Sequence, residues 1–387
     1  MAKKNSCCLA AFLIVLVLLG GTVAAGYFGG NYALKRYLGD EGEKIQMGIN
    51  NWGDLFNFIS GTGKLLKEEP EITDQDKPSE QNLESAHTQL ENSIVGYDSE
   101  TSFLGSESLI FKTPLKLTGG QLAALIDDEL ASLEKDSDIE LSVAQVKLEV
   151  DSDDNNFCII TMTLSVNKDD IVKPIEDKLG AFASIITYSL GEKIYLTTVN
   201  RYQAVDGEII VDTAYTQSDL YIGNGSNSAI NDKIIDLLVS MFGAEDKNDL
   251  NADFGEIIIE AVNKAGRVSF EIDSNISYIV FDNHNNSELI QKLIVTGEID
   301  LADYNNLSEA NKTILEEVKT KANNLLATLA ANELTETTTP TLAEVQNIIN
   351  NIELDNTNFV SAYQNDPAAV DLTVYQNDVN ALTALFS

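Results

Sequence analysis

Histidine is nearly absent from this chain of 387 residues, which holds only His87 and His284. His87 sits in an acidic stretch and His284 in an Asp-Asn-His-Asn-Asn turn, so neither is placed where a general base or a zinc ligand is needed. Cysteine is almost as scarce: beyond Cys7 and Cys8 there is only Cys158. One cysteine cannot form an internal disulfide, and the alternating apolar stretch around Cys158 marks it as a small core residue. Basic side chains are the third deficit, with 25 Lys and Arg against 61 Asp and Glu and a formal net charge of −36. A surface of that sign repels nucleic acid and anionic headgroups, which removes nucleic acid from the partner classes. Complete glycine-rich phosphate motifs are missing too. Gly119-Gly120 and Gly223-Asn224-Gly225 lack the third glycine of a dinucleotide fingerprint. The second fragment follows a strand and precedes a helix, which leaves an anion at that helix N-terminus as the alternative to a plain turn. No arrangement of nucleophile and base emerges, so the sequence reads as non-enzymatic.

What the chain does have is an uncharged run from Cys7 to Tyr27, with Lys3 and Lys4 before it and Lys35 and Arg36 after it. A bilayer core is spanned by about 20 residues, so the run is long enough to cross as a transmembrane helix. The alternative is a cleaved secretory signal, with Leu9 to Leu19 as its apolar region and Val23-Ala24-Ala25 as a small-residue processing site. Tyr27, Phe28, Tyr32 and Tyr37 continue as an interfacial aromatic belt, which favours a retained signal-anchor. Basic residues flank the run on both sides, so charge gives little direction. The short N-terminal tail favours a single-pass cell-membrane protein with its C-terminal region extracytoplasmic.

Five regions follow from composition. Residues 1–38 are the tail and anchor, and 39–67 a juxtamembrane segment in which Ile45, Ile49, Trp52, Phe56 and Ile59 recur at helical spacing. That segment is either amphipathic and interfacial or an ordinary core helix. From Glu68 to Glu107 there are 11 acidic residues against the one basic Lys77, with Pro70 and Pro78, and this predicts a disordered acidic spacer. Residues 108–302 form the expected α+β ectodomain, and 303–387 a helical C-terminal region.

Within the ectodomain, Leu109 to Thr118 reads as an edge strand because it contains Pro114. Gly119-Gly120 opens a helix with Leu122, Leu125, Ile126, Leu130 and Leu133 on one face. Leu141 to Val150 and Cys158 to Val166 alternate as a hairpin around Asp151 to Asn156. A helix over 171–190, strands over 193–200 and 207–221, and a helix over 229–242 come next. A helix over 257–264 and strands over 267–272, 277–281 and 292–301 complete the pattern. The tail predicts helices over Ser308 to Leu334, over Leu342 to Leu354 behind a Thr341/Glu344 capping box, and over 378–386. The fold class is α+β: an N-terminal transmembrane helix, an antiparallel curved sheet packed with helices, and a helical tail.

Two sites are nominated. Leu122, Leu125, Ile126, Val146, Leu148, Ile160, Met162, Leu164, Ile234 and Leu238 would line an apolar groove between sheet and helices, open to a lipid or other amphiphile, or else form a closed core. Asp249, Asn251, Asp253 and Glu260 carry the oxygen spacing of a calcium loop, although Phe254 stands where the turn needs glycine. Ca2+ is therefore the one cofactor considered, against the plain reading of no cofactor.

The segment Thr113 to Ile126 (Thr-Pro-Leu-Lys-Leu-Thr-Gly-Gly-Gln-Leu-Ala-Ala-Leu-Ile), the hairpin after it, and Asp219-Leu-Tyr-Ile-Gly223 resemble the bacterial YpmS-type family of single-pass membrane proteins. More loosely, they are similar to tubular lipid-binding domains. The resemblance covers about half the chain and implies an extracytoplasmic domain with an apolar groove and no catalytic residues. The expectation is thus a membrane-anchored, non-catalytic protein that binds a lipid. Its alternative is an envelope component with a closed core that binds a protein partner through its helical tail.

Overall fold

The computed structural model describes residues 66–98, 102–104, 109–133, 141–169, 191–225 and 244–387, with isolated positions at 61, 64, 106, 229, 231, 232, 235, 236 and 239. The apolar run over 7–27, most of the juxtamembrane segment, the helix expected over 171–190, and Ile234 and Leu238 lie outside the described residues. Among the described residues no helix is long and apolar enough to cross a membrane.

The chain is α+β with antiparallel sheets, and its order starts with a helix that composition concealed. The expected spacer over 68–107 contains α1, Glu80–Ser93, whose N-cap Ser79 accepts from the Asn82 N–H. Leu83, Ala86, Leu90 and Ile94 recur every three or four residues, and the last three are at most 1% exposed within the core. Averaging charge over the segment hid that stripe, and so did reading the span as too polar to fold.

Next come β1, Leu115–Leu117, and α2, Gly119–Leu133. β1 is an edge strand, as Pro114 requires, in a three-stranded sheet of order β1-β8-β7. Here β7 is Arg267–Asp273 and β8 is Ile276–Asp282. The larger sheet holds β2 (Leu141–Val150), β3 (Phe157–Asn167), β4 (Lys193–Val205), β5 (Glu208–Val211) and β6 (Asp219–Ile222). The far edge of β4 is shared, because β5 pairs with its Tyr202–Val205 end and β6 with Leu196–Val199. There are two sheets rather than one curved sheet, tied where the Val268 N–H donates to the Gly207 carbonyl at 2.6 Å.

α3 spans Lys247–Ala265, about twice the length expected, because Asp246 caps it by accepting from the N–H groups of Asn248 and Asp249. α1, α2, α3 and both sheets enclose one core, in which Phe103 meets Phe281 edge to face at 5.0 Å.

From Ser287 onward the chain is helical. α4 is Ser287–Gly297, α5 Glu309–Ala331, α6 Leu342–Asn365 and α7 Thr373–Leu385. The strand expected over 292–301 is instead the second half of α4 and the turn after Gly297, because Leu289, Ile290, Leu293 and Ile294 form a helical stripe that begins before Lys292. Ser308 caps α5, and α6 opens on the complete Thr341/Glu344 capping box. These helices bury a core of their own, including Leu315, Leu326, Ile349, Ile352 and Val379.

Asparagine side chains fix the chain on either side of the passage from one core to the other. Asn283, 3% exposed, accepts from the Phe111 N–H and donates to the Phe111 carbonyl, both at 2.9 Å. Asn285 and Asn286 donate to the carbonyls of Ala330 and Leu329 at 3.0 and 2.8 Å, satisfying the exposed end of α5.

Candidate functional site

Strand register places the first candidate site. Val146 lies opposite Met162, and Met162 opposite Thr198, so the three form one row across β2, β3 and β4 on the inner face of the larger sheet. Leu122 and Ile126 of α2, Ile259 and Val262 of α3, Ile209, Ile279 and Tyr202 close over that row and over Ile160, around a cavity of about 20 Å³. Leu122, Ile126, Val146, Ile160 and Met162 of the nominated groove thus line one space. Leu125, Leu148 and Leu164 belong to the same core but do not line that space. A volume near that of one water contrasts with the roughly 300–1,000 Å³ of small-molecule sites. Burial pushes the Tyr202 hydroxyl above its usual range, with a hydrogen bond to Asn200 opposing the shift. Gly255 makes room for Tyr202, since a Cβ there would lie 2.9 Å from the hydroxyl oxygen.

The opposite face of the same sheet carries a polar row that sequence alternation had not singled out. Gln145, Thr163, Thr197 and Tyr221 are mutual register partners on β2, β3, β4 and β6. The Gln145 amide donates to the Thr163 hydroxyl at 3.1 Å, and the Thr163 and Thr197 hydroxyls are 2.9 Å apart. Gln145, Thr163 and Thr197 are buried, and their bonds satisfy one another.

The calcium loop is a helix. Asp249, Asn251, Asp253 and Glu260 all fall within α3, where residues two apart point to different sides. Asn251 is 1% exposed and donates to the Val199 carbonyl and to Asn200, while Asp249 accepts from the Glu245 N–H and Glu260 pairs with Lys264. Among the described residues no three His, Cys, Asp or Glu side chains are grouped to hold a metal.

The glycine fragments resolve as packing and turns. A Cβ on Gly119 would sit 2.1 Å from the Val146 carbonyl oxygen, and one on Gly120 2.4 Å from that of Gln75. The N–H groups of Gly223 and Gly225 are already bonded to the Tyr195 and Ile222 carbonyls. Cys158 is fully buried, and burial pushes its thiol up to about 12. His87 lies on α1 rather than in a loop, 3.5 Å from the Tyr97 hydroxyl, which burial and then Glu129 push up to about 12. Glu129 is occupied in accepting from the Leu104 N–H and the Ser102 hydroxyl, so it fixes a turn.

In the helical unit, Asp355 of α6 and Asp378 of α7 face each other. Burial first, and then the charge of Asp378, raise the Asp355 pKa. The lysines of this unit are engaged elsewhere: Lys292 with Asn350 and Glu353, Lys312 with Glu309, Lys319 with the Ile299 carbonyl, and Lys321 with Glu317 and Asn380. No family model, no curated protein and no solved structure matches this chain.

Proposed function

We propose that this chain is a non-catalytic interaction protein of the cell envelope, tethered by its N-terminal apolar run. The α/β body is a sealed scaffold and the helical unit meets the partner. The observation that carries this reading is the size of the space that Leu122, Ile126, Val146, Ile160 and Met162 line among the described residues, about 20 Å³, too little for an acyl chain. The apolar lining by Leu122, Ile126, Val146, Ile160 and Met162 supports the second reading, a lipid-binding body, in which α2 would have to move off the sheet to admit the ligand.

Native mass spectrometry of the purified protein, run beside pull-down with lipid and protein identification, separates the two. The interaction reading predicts a lipid-free mass for the body and a reproducible protein partner. One bound lipid per chain, lost on widening or blocking the Val146/Met162 row, would replace it with the lipid reading.

A further inference from the structure

We propose that the outer face of the larger sheet, at the end where β3, β4 and β5 turn, docks a protein segment with an apolar anchor flanked by lysine or arginine. This goes beyond the interaction reading, which assigns the partner to the helical unit. Strand register assembles the face. Gln203 pairs with Phe157 on one side and Ile210 on the other, and Val205 pairs with Glu208, so these five side chains project from one side of the sheet. Tyr202 and Ile209, which alternate with them, point into the core. Val205 and Ile210 are diagonal neighbours, 39% and 46% exposed, and are the large apolar side chains that the body leaves in solvent among the described residues. Farther along the same face Gln145, Thr163 and Thr197 are buried, so the opening belongs to this end. Beside it stands Arg201, opposite Ile159 in the adjoining row. Its guanidinium lies 4.5 Å from the centre of the Phe157 ring and 5.0 Å from that of Tyr215, while its Nε and Nη2 donate to Asp212 Oδ2 at 2.7 and 2.5 Å. These contacts hold a planar cation and two rings in one orientation next to exposed aliphatic surface, the composition on which binding energy concentrates.

Charge around the face selects its occupant. Asp151, Asp153 and Asp154 in the turn between β2 and β3, and Asp206 and Glu208 in the turn between β4 and β5, are all exposed. The Ala204 N–H donates to the Asn156 carbonyl at 2.8 Å, so the two turns lie side by side and rim the same end. Of the nearby cations, Lys147 is paired with Glu149 and Arg201 with Asp212, which leaves Arg267, packed against Gly207, beside five carboxylates. A second copy would bring the same acidic rim, and an anionic lipid surface would also meet like charge. A cationic segment gains from the rim while its apolar anchor covers Val205 and Ile210.

The test uses the full chain in nanodiscs of zwitterionic lipid at about 0.15 M salt, titrated with a short fluorescent peptide that alternates leucine and lysine. One control peptide carries glutamate for lysine and another serine for leucine. The leucine-lysine peptide is expected to bind and the two controls are not. Affinity should fall by about tenfold or more in Val205→Ser/Ile210→Ser and severalfold in Asp153→Asn/Glu208→Gln. Glu333→Gln/Glu336→Gln, the same charge change at exposed positions of the helical unit, should leave it unchanged. The substituted side chains are all exposed, so the thermal midpoint should stay in place and lost binding is not lost folding. Equal affinity for the serine peptide, indifference to the Val205/Ile210 change, an equal loss with the Glu333/Glu336 pair, or self-association of the chain that Val205→Ser/Ile210→Ser abolishes would each overturn the proposal. Failure of this series while pull-down still captures a protein partner removes the face and leaves the interaction reading. The expected series together with stoichiometric lipid in the body removes that reading and leaves the face.

Discussion

The α/β body and the helical unit solve opposite problems. The body is knit from far-apart chain, with Lys116 bonded to Glu271 and Phe111 to Asn283 across 155 and 172 residues, and the cavity between α2, α3 and the larger sheet holds about 20 Å³. The helical unit is built from consecutive helices with local caps, and it leaves Val295, Leu354 and Val374 more exposed than any other large apolar side chain among the described residues. A region whose apolar side chains pack mainly on one another has less to offer a ligand, although Gln89 Oε1 and Asn251 Oδ1 are buried there without a hydrogen-bond partner among the described residues. One that keeps large apolar side chains in solvent retains a cost that binding can relieve.

The largest effect that should sharpen this contrast comes from the body's core. Phe281→Ala removes a fully buried ring packed edge to face against Phe103 and is expected to cost about 3–5 kcal/mol, read by denaturant unfolding. If the two cores are separate cooperative units, tyrosine fluorescence from the body shifts while helical circular dichroism loses only part of its signal. Coincident loss of both signals would mean that the Asn283, Asn285 and Asn286 clamps fuse them into one unit. Asn283→Ala probes that seam directly. It strands the Phe111 N–H and carbonyl in a buried place, at about 2–3 kcal/mol, and hydrogen exchange at Phe111 should rise before exchange in α6 does.

A smaller change separates the helical unit by itself. Thr341→Ala removes the N-cap of α6 and should lower its stability by about 1 kcal/mol without touching the body. Hydrogen bonds from the Thr341 N–H and hydroxyl hold the Glu344 carboxyl below its usual range. Its stabilising contribution is therefore present above the unfolded value and disappears as pH falls through the folded one.

Asp355 has the opposite sign. Its folded pKa is raised, so the ionised form costs stability above that pKa and the cost vanishes as pH falls below the unfolded value. Asp355→Asn should raise the melting midpoint slightly at neutral pH, and the gain should shrink on acidification. The smallest expectation concerns Cys158, which should resist maleimide in the folded protein and label fully in denaturant.

Local patterns in the sequence carried through to the structure where one element decides them. The Val146/Met162 hairpin, the Pro114 edge strand, the helix beginning near Ser308 and the Thr341/Glu344 box each rest on a few neighbouring residues, and each is present. Elements whose signal was diluted were missed. α1 disappeared into an acidic average, and α4 was entered one turn late and read as a strand. The oxygen spacing of Asp249 to Glu260 was read as a loop, because Asp246 as a cap had not been recognised. Leu122, Ile126, Val146, Ile160 and Met162 are brought together by register and by α2. The free volume between them depends on α3 and β8 closing from more than a hundred residues away. Nothing near Val146 in the chain reports that. Likewise Asn283 sits in what reads as a surface turn, and its role as a clamp exists only once Phe111 arrives.

The most direct test of the claim that the body takes up no ligand is native mass spectrometry of the purified protein beside a variant that widens the Val146/Met162 row. The expected result is a lipid-free mass for both and a reproducible protein partner in pull-down. One bound lipid per native chain, lost in the variant, would contradict it.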